Sequence, residues 1–355
     1  MIRKFQISIV LLSVLFCGCG VSGKAPARST EFGAWITYWG AERAMPVFNL
    51  EPAVFGEALF FYGQLDALGQ VAVVEEAALP RELLGRYPQT ISATWFTVVN
   101  DVRLSNGKFS LKDPNVVHEI LSSESLSSEH RQGIVDIARH YGFSGIDIDY
   151  ENLWVEDREL FSNFIDLLAK DLHSVGLQLA ITVQPKTEEI NSDGAGAMDW
   201  ERLCQSADRL QIMLYNLHSG RSSPGPISNI SWLKEVMHYA SSKCDKFRII
   251  PVLKVVGREW GAESSRDIEY REVAQLIEAH NIDIDREEAV NGSTPYFTYF
   301  IKGELRTVYY EDAESLATKT LALRSLGYPH VIFWGLGNHD PSLHSELFRL
   351  RAGTL

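Results

Sequence analysis

The sequence predicts a closed (β/α)8 barrel, the TIM-barrel architecture, with a small α+β insertion between its seventh and eighth strands. Three observations predict it. Eight apolar, strand-like runs recur along the 355 residues; helix-like segments separate them; and one run, residues 145–151, alternates apolar with acidic side chains. Repeated strand–helix units give a parallel sheet, and eight of them close on themselves, with functional groups at the C-terminal ends of the strands.

Taken in order, the chain opens with Arg3 and Lys4 and an apolar run from Ile7 to Phe16. Ten residues are too few to span a bilayer, so residues 1–18 read as a secretory signal peptide. Gly18-Cys19 resembles the cleavage and lipidation site of a bacterial lipoprotein, which would place the protein in the cell envelope on a lipid anchor at Cys19. Gly20, rather than Asp, favours the outer membrane. Ordinary signal cleavage a few residues later is the alternative, and both export the chain. Residues 19–31 are small and polar and read as a tether, followed by one domain over 32–355.

The predicted strands are Gly33–Tyr38, Ala58–Tyr62, Ile91–Val99, Gly145–Tyr150, Leu177–Val183, Arg209–Tyr215, Arg248–Val255 and Val331–Trp334. Ser128 is placed as the cap of a helix with Ile134, Ile137, Ala138 and Tyr141 on one face, stopped by Gly142. A second helix runs from about Asp157 to His173, with Leu160, Phe161, Phe164, Ile165, Leu168 and Leu172 as its apolar stripe and Gly176 beyond its end. The long gap before the last strand holds the insertion, about 257–311. There Tyr296–Ile301 and Glu304–Tyr310 flank Lys302-Gly303 as a hairpin, with helices near Glu269–His280 and Asp312–Leu326.

The formal net charge is −13, unsuited to phosphate backbones and compatible with a neutral substrate. Cys204 and Cys244 can form a disulfide outside the cytosol, or remain two buried thiols. Neither they nor the ten histidines show metal-ligand spacing, so no metal and no cofactor are expected.

The fourth strand carries the chemistry. Period-two alternation puts Asp147, Asp149 and Glu151 on one face, about 6.6 Å apart along the strand. Two carboxylates about 5 Å apart repel by roughly 3 kcal/mol at an effective dielectric of 20. A fold gains nothing from that, whereas a general acid with a raised pKa does. An Asp-x-Asp-x-Glu strand could also bind Mg²⁺ or Ca²⁺ for phosphoryl chemistry, or be a solvated edge. No P-loop, histidine cluster or basic run accompanies it, and Ile146 and Ile148 favour burial of its other face.

Residues 144–151, Ser-Gly-Ile-Asp-Ile-Asp-Tyr-Glu, resemble the Asp-x-x-Asp-x-Asp-x-Glu motif of glycoside hydrolase family 18, which includes chitinases and spore-cortex-lytic N-acetylglucosaminidases. Gln211-Ile-Met213-Leu-Tyr215-Asn216 is similar to that family's Met-x-Tyr-Asp, and Trp334 to its subsite tryptophan. Phe60-Phe61-Tyr62 and Pro224-Gly225-Pro226 resemble the cortex-lytic subgroup, and the likeness runs over roughly 33–340. It implies retaining, substrate-assisted hydrolysis of β-1,4-linked N-acetylglucosamine glycans, peptidoglycan fragments or chito-oligosaccharides. Glu151 would be the general acid. Asp149 would orient the 2-acetamido group, Asp147 would share a proton with Asp149, and Tyr215 would donate to the acetamide carbonyl. Trp334 would stack on the sugar, and Asn216, Met213, Gln211, Tyr62 and Asn100 would complete a substrate-binding set.

The chain departs from the family motif at Ser144 and at Asn216, where the family has acids, and lacks the Ser-x-Gly-Gly of many chitinases. Loss of the anion at 216 predicts a more acidic pH limb. Gln184 and Lys186 end the fifth strand and could line the cleft. A non-hydrolytic, lectin-like envelope lipoprotein on the same barrel is the rival from another class. The partner expected in either case is a glycan, met by a monomer.

Overall fold

The computed structural model describes residues 32–74, 91–104 and 107–353. The leader, the tether and Cys19 lie outside the described residues. Eight parallel strands form the barrel: β1 (Phe32–Thr37), β2 (Phe55–Asp66), β3 (Ala93–Arg103), β4 (Gly145–Asp149), β5 (Gln178–Val183), β6 (Arg209–Met213), β7 (Ile249–Lys254) and β8 (Val331–Trp334). Each pairs with the next, and β8 pairs with β1 through Phe32↔Val331, Gly33↔Ile332 and Ala34↔Phe333, which closes the sheet. All eight predicted strands are present. β2 and β3 extend past their predicted C-terminal ends because Val71–Val73 and Phe109–Ser110 add antiparallel ribbons to them at the mouth.

Side chains alternate between two cores. Ile36, Phe60, Phe96, Ile146 and Ile148 pack outward against the helices; Trp35, Leu59, Trp95, Val99, Val252 and Ile332 fill the interior. At the floor, the Arg209 guanidinium lies 4.0 Å from the Trp95 ring and pairs with Glu57 at 2.5 Å, and His330 meets Glu57 at 2.8 Å. Burial opposes the Glu57 charge, but His330 and Arg209 overcome it and hold the carboxyl at about 2. Gly145 makes room for Trp95: an added Cβ would lie 2.5 Å from Cζ3 of that ring and 2.7 Å from the Gln178 carbonyl oxygen. Gly145→Ala is expected to cost at least about 2 kcal/mol by overpacking, read as a lowered Tm.

The helix ending at Gly142 begins at Glu124. Ser123 caps it, accepting from the Leu126 N–H at 3.3 Å, while Ser128 lies one turn inside. The cap moves because Ser123 closes the preceding helix, Pro114–Ser122, and starts the next in a single extended residue. Gly142 ends the helix at φ 74° as expected. The helix Arg158–Ser174 buries Phe161, Phe164, Ile165, Leu168 and Leu172; Leu160 falls off that stripe and is exposed.

Between β7 and β8 lies a five-stranded antiparallel sheet with the helix Tyr270–His280, a unit with its own small core around Phe297, Tyr299 and Val308. The hairpin Pro295–Ile301/Glu304–Tyr309 turns at Lys302 (φ 53°) and Gly303 (φ 82°). Cys204 and Cys244 are joined by a disulfide, which ties the helix Trp200–Ser206 to the end of the helix Ile230–Lys243.

Candidate active site

The acid row stands inside the barrel, register-paired to β3 as Thr97↔Asp147 and Val99↔Asp149. Asp147 is fully buried. Thr97 Oγ donates to its Oδ2 at 2.8 Å, and Thr182 Oγ and Gln211 Nε2 donate to its Oδ1, each at 2.8 Å. Trp35 Nε1 in turn donates to Thr97 at 2.9 Å. Burial raises the Asp147 carboxyl to about 6 against the pull of these donors.

One residue higher on that face, Asp149 is raised to about 7. Burial is the main cause; the Lys112 cation opposes it, and the Glu151 and Asp147 charges add to it. Its Oδ2 accepts from Lys112 Nζ at 3.2 Å, while its Oδ1 is buried without a hydrogen-bond partner. Both oxygens of Asp147 are occupied by other donors and no hydrogen bond joins it to Asp149. The two carboxylates are coupled electrostatically across the row.

Glu151 sits at the mouth, half-buried, with Oε1 3.1 Å from Lys112 Nζ. Its backbone is clamped from β3: Asn100 Nδ2 donates to the Glu151 carbonyl at 2.8 Å, and Asn100 Oδ1 accepts the Glu151 N–H at 3.0 Å. Asn100 is itself wholly buried, so it positions the acid's main chain and does not face a sugar.

Glu151, Met213, Tyr215 and Asn216 line two adjoining compartments. The inner one, about 220 Å³, is completed by Phe61, Lys112, Asp149, Lys254, Arg258, Asp267 and Trp334. The outer one, about 540 Å³, is completed on one side by Trp154 and Gln184 and on the other by Arg221. Tyr215 and Trp334 meet at 6.4 Å between ring centres, with Lys254 Nζ 5.3 Å from the indole. Burial, then the Asp149 and Glu151 charges, keep the Tyr215 phenol a proton donor far above its ordinary range. Asn216 stands exposed at the rim in a left-handed turn, φ 63°.

Two further expected sugar contacts lie elsewhere. Gln211 is wholly buried beneath the pocket, its Nε2 donating to Asp147 and Thr182. Tyr62 is wholly buried in the outer core against Phe60, its hydroxyl without a partner. The two-residue period of β2 turns Phe61 inward and Tyr62 outward. Tyr62→Phe is expected to leave turnover unchanged and to raise stability by about 1 kcal/mol, by removing an unsatisfied buried hydroxyl; thermal melts and a rate assay check it. Ser144 lies exposed at the foot of β4, its Oγ accepting from the Thr94 N–H at 3.2 Å, off the face that carries the acids. Lys186 turns away from the cleft to the Met198 carbonyl at 2.8 Å.

Sequence reasoning missed Lys112, Phe61, Lys254, Arg258 and Asp267. Lys254 closes β7 and Lys112 precedes a helix cap in the loop after β3, so the rule that barrel chemistry gathers at strand ends could have found both. Arg258 and Asp267 belong to the inserted sheet, whose lean over the mouth has no local signature.

A closed parallel barrel with a buried carboxylate row rising to an acid at its mouth, beside a tyrosine and a tryptophan, is the frame of a glycoside hydrolase. Residues 118–339, well over half of the chain, match glycosyl hydrolases family 18, and the chain belongs to that family. It is 23% identical over 247 residues to the uncharacterized glycosylase YvbX of Bacillus subtilis, covering 68% of this chain and 70% of that one. It is 24% identical over 230 residues to the cortical fragment-lytic enzyme of the same organism, covering 62% of this chain and 53% of that one. The chain thus spans about half the length of that second relative. The fold is shared with a chitinase from Chromobacterium violaceum (TM-score 0.78, 22% identity, 90% of this chain and 98% of that one). It is shared as well with the Bacillus cereus spore cortex-lytic enzyme SleL (TM-score 0.77, 22% identity, 90% and 73%).

Proposed function

We propose that this chain is a retaining β-N-acetylglucosaminidase in which the substrate's own 2-acetamido oxygen is the nucleophile. Its substrates are β-1,4-linked glycans containing N-acetylglucosamine, peptidoglycan fragments first and chito-oligosaccharides second. The observation that carries this reading is the inner compartment itself. Asp149, with one buried oxygen still unpartnered, shares it with Tyr215 and Trp334, and Glu151 stands at its entrance.

In this scheme the sugar stacks on Trp334. Glu151 gives its proton to the glycosidic oxygen as the C1–O bond breaks, and the acetamide oxygen closes on C1 from the opposite face. Asp149 Oδ1 accepts the acetamide N–H, and its charge faces the oxazolinium ion. Tyr215 donates to the acetamide oxygen and aims it. Glu151, now a carboxylate, then takes a proton from the water that opens the ring, and configuration is retained.

The test is hydrolysis of an aryl β-N-acetylglucosaminide followed by NMR of the first-formed anomer. The β anomer is expected, with a large rate loss when the acetamide is replaced by the less nucleophilic trifluoroacetamide. An α product, or a rate indifferent to that replacement, contradicts the scheme, and sugar binding without turnover returns the barrel to the lectin reading. Parallel digests of peptidoglycan and chitin, with the new reducing ends identified, fix the substrate. The Cys204–Cys244 disulfide supports the exported reading; the proposed outer-membrane lipid anchor at Cys19 rests on the Gly18-Cys19 resemblance alone.

A further inference from the structure

Lys112 lies outside residues 118–339, the stretch that matches the family, yet its ammonium is placed between the two acids of the proposed reaction. Nζ is 3.2 Å from Asp149 Oδ2 and 3.1 Å from Glu151 Oε1. Three features fix it there. The Lys112 backbone is left-handed, φ 51°, a conformation a lysine seldom adopts without local support. Asp101 supplies that support by accepting the Lys112 N–H at 2.9 Å. The side chain then crosses the Phe61 ring, with Nζ 5.3 Å from its centre.

We propose that Lys112 is a positioning residue for this reaction: it holds the Asp149 carboxylate in place, pairs with Glu151 while Glu151 is a carboxylate, and stays with Asp149 alone once Glu151 carries its proton. The inference rests on the roles given above to Glu151 and Asp149. A protonated Glu151 has no charge to offer Nζ, so the second half of the clamp belongs to the ionised acid. An ionised Asp149 is needed opposite the oxazolinium, and a cation beside it keeps it ionised at a lower pH than its burial would allow.

Other groups around the ammonium do not substitute for it. Asp147 lies one step deeper with both oxygens engaged. Across the pocket, Lys254 and Arg258 share Asp267, each at 2.6 Å. The Tyr215 phenol stays neutral. Burial alone would lower the Lys112 pKa, but Asp149, Glu151 and Asp101 together raise it above the ordinary lysine value, so it is a cation at every working pH.

The experiment compares wild type with Lys112→Met and Lys112→Arg in the full-length protein. Carboxyl ¹³C NMR follows the Asp149 titration, and kcat/KM is measured against pH. In Lys112→Met the Asp149 titration and the acidic limb of kcat/KM are both expected to move up by about one pH unit or more. At pH 6 that is about a tenfold loss, carried by kcat rather than KM; Lys112→Arg restores the limb. An Asp149 titration unmoved in a folded Lys112→Met overturns the proposal, as does a moved titration with an unmoved limb. Failure of the underlying reading shows separately, as a Glu151→Gln variant that keeps its activity while the Asp149 titration still shifts.

Discussion

Glu151→Gln is expected to slow hydrolysis of unactivated oligosaccharides by about 10² to 10⁴ while leaving the site in place. The amide keeps the shape of the acid and cannot deliver a proton. Its main chain remains held by Asn100, whose amide contacts the backbone of residue 151 and not its side chain. Proton donation by a positioned acid contributes about 10² to 10⁴ in rate, so kcat on a chito-oligosaccharide or muropeptide falls by that order, with KM near its wild-type value. The leaving group sharpens the test. A nitrophenolate departs without much help, so on nitrophenyl N-acetylglucosaminide the loss shrinks toward the lower end of the same range. The acetamide attack, aimed by Asp149 and Tyr215, continues to operate there. Equal losses on both substrates would show that Glu151 serves something other than leaving-group protonation.

The barrel was legible because its signals are local and repeated. Each strand is a short apolar run, and the turn to the next helix or strand carries its own glycine or cap. The acid row was legible for a stronger reason: three carboxylates at period two have no structural benefit, so Asp147, Asp149 and Glu151 stand out from ordinary strand composition. What failed was depth and direction within the strand. Tyr62 and Phe61 are adjacent aromatics of similar propensity, and only the register of β2 against β1 and β3 says which one looks inward. Gln211 lies on the correct face, but one layer too deep to meet a ligand. Asn100 was placed at a strand end, whereas β3 continues through Arg103 and the side chain is spent on Glu151. Lys112 carries no motif at all. Its place comes from Asp101, eleven residues upstream, bending a loop, and from Phe61 in another strand, a long-range contact that no local pattern announces.

Asp149→Asn should trade activity for stability, with a sign fixed by the direction of the raised carboxyl. In the native protein Asp149 titrates at about 7, against about 3.9 for an unfolded aspartate. Between those values the native state holds the proton more firmly than the unfolded chain, so stability falls as pH rises through the window. The contribution is whole below about pH 4 and gone above about pH 7. Three pKa units correspond to an upper size on the order of 4 kcal/mol; half of that is a reasonable expectation once the site relaxes around the new amide. The quantity to follow is the difference in unfolding free energy between variant and wild type, from urea melts at pH 4, 6 and 8. It should move in the variant's favour by about 2 to 4 kcal/mol from pH 4 to pH 8. Parallel stability curves would mean that Asp149 is not held protonated by burial. Over the same range, turnover should fall by about 10² or more, because the asparagine offers no charge to the oxazolinium. A variant that is more stable and less active at pH 8 would show that the fold holds this carboxylate in the barrel against its own stability.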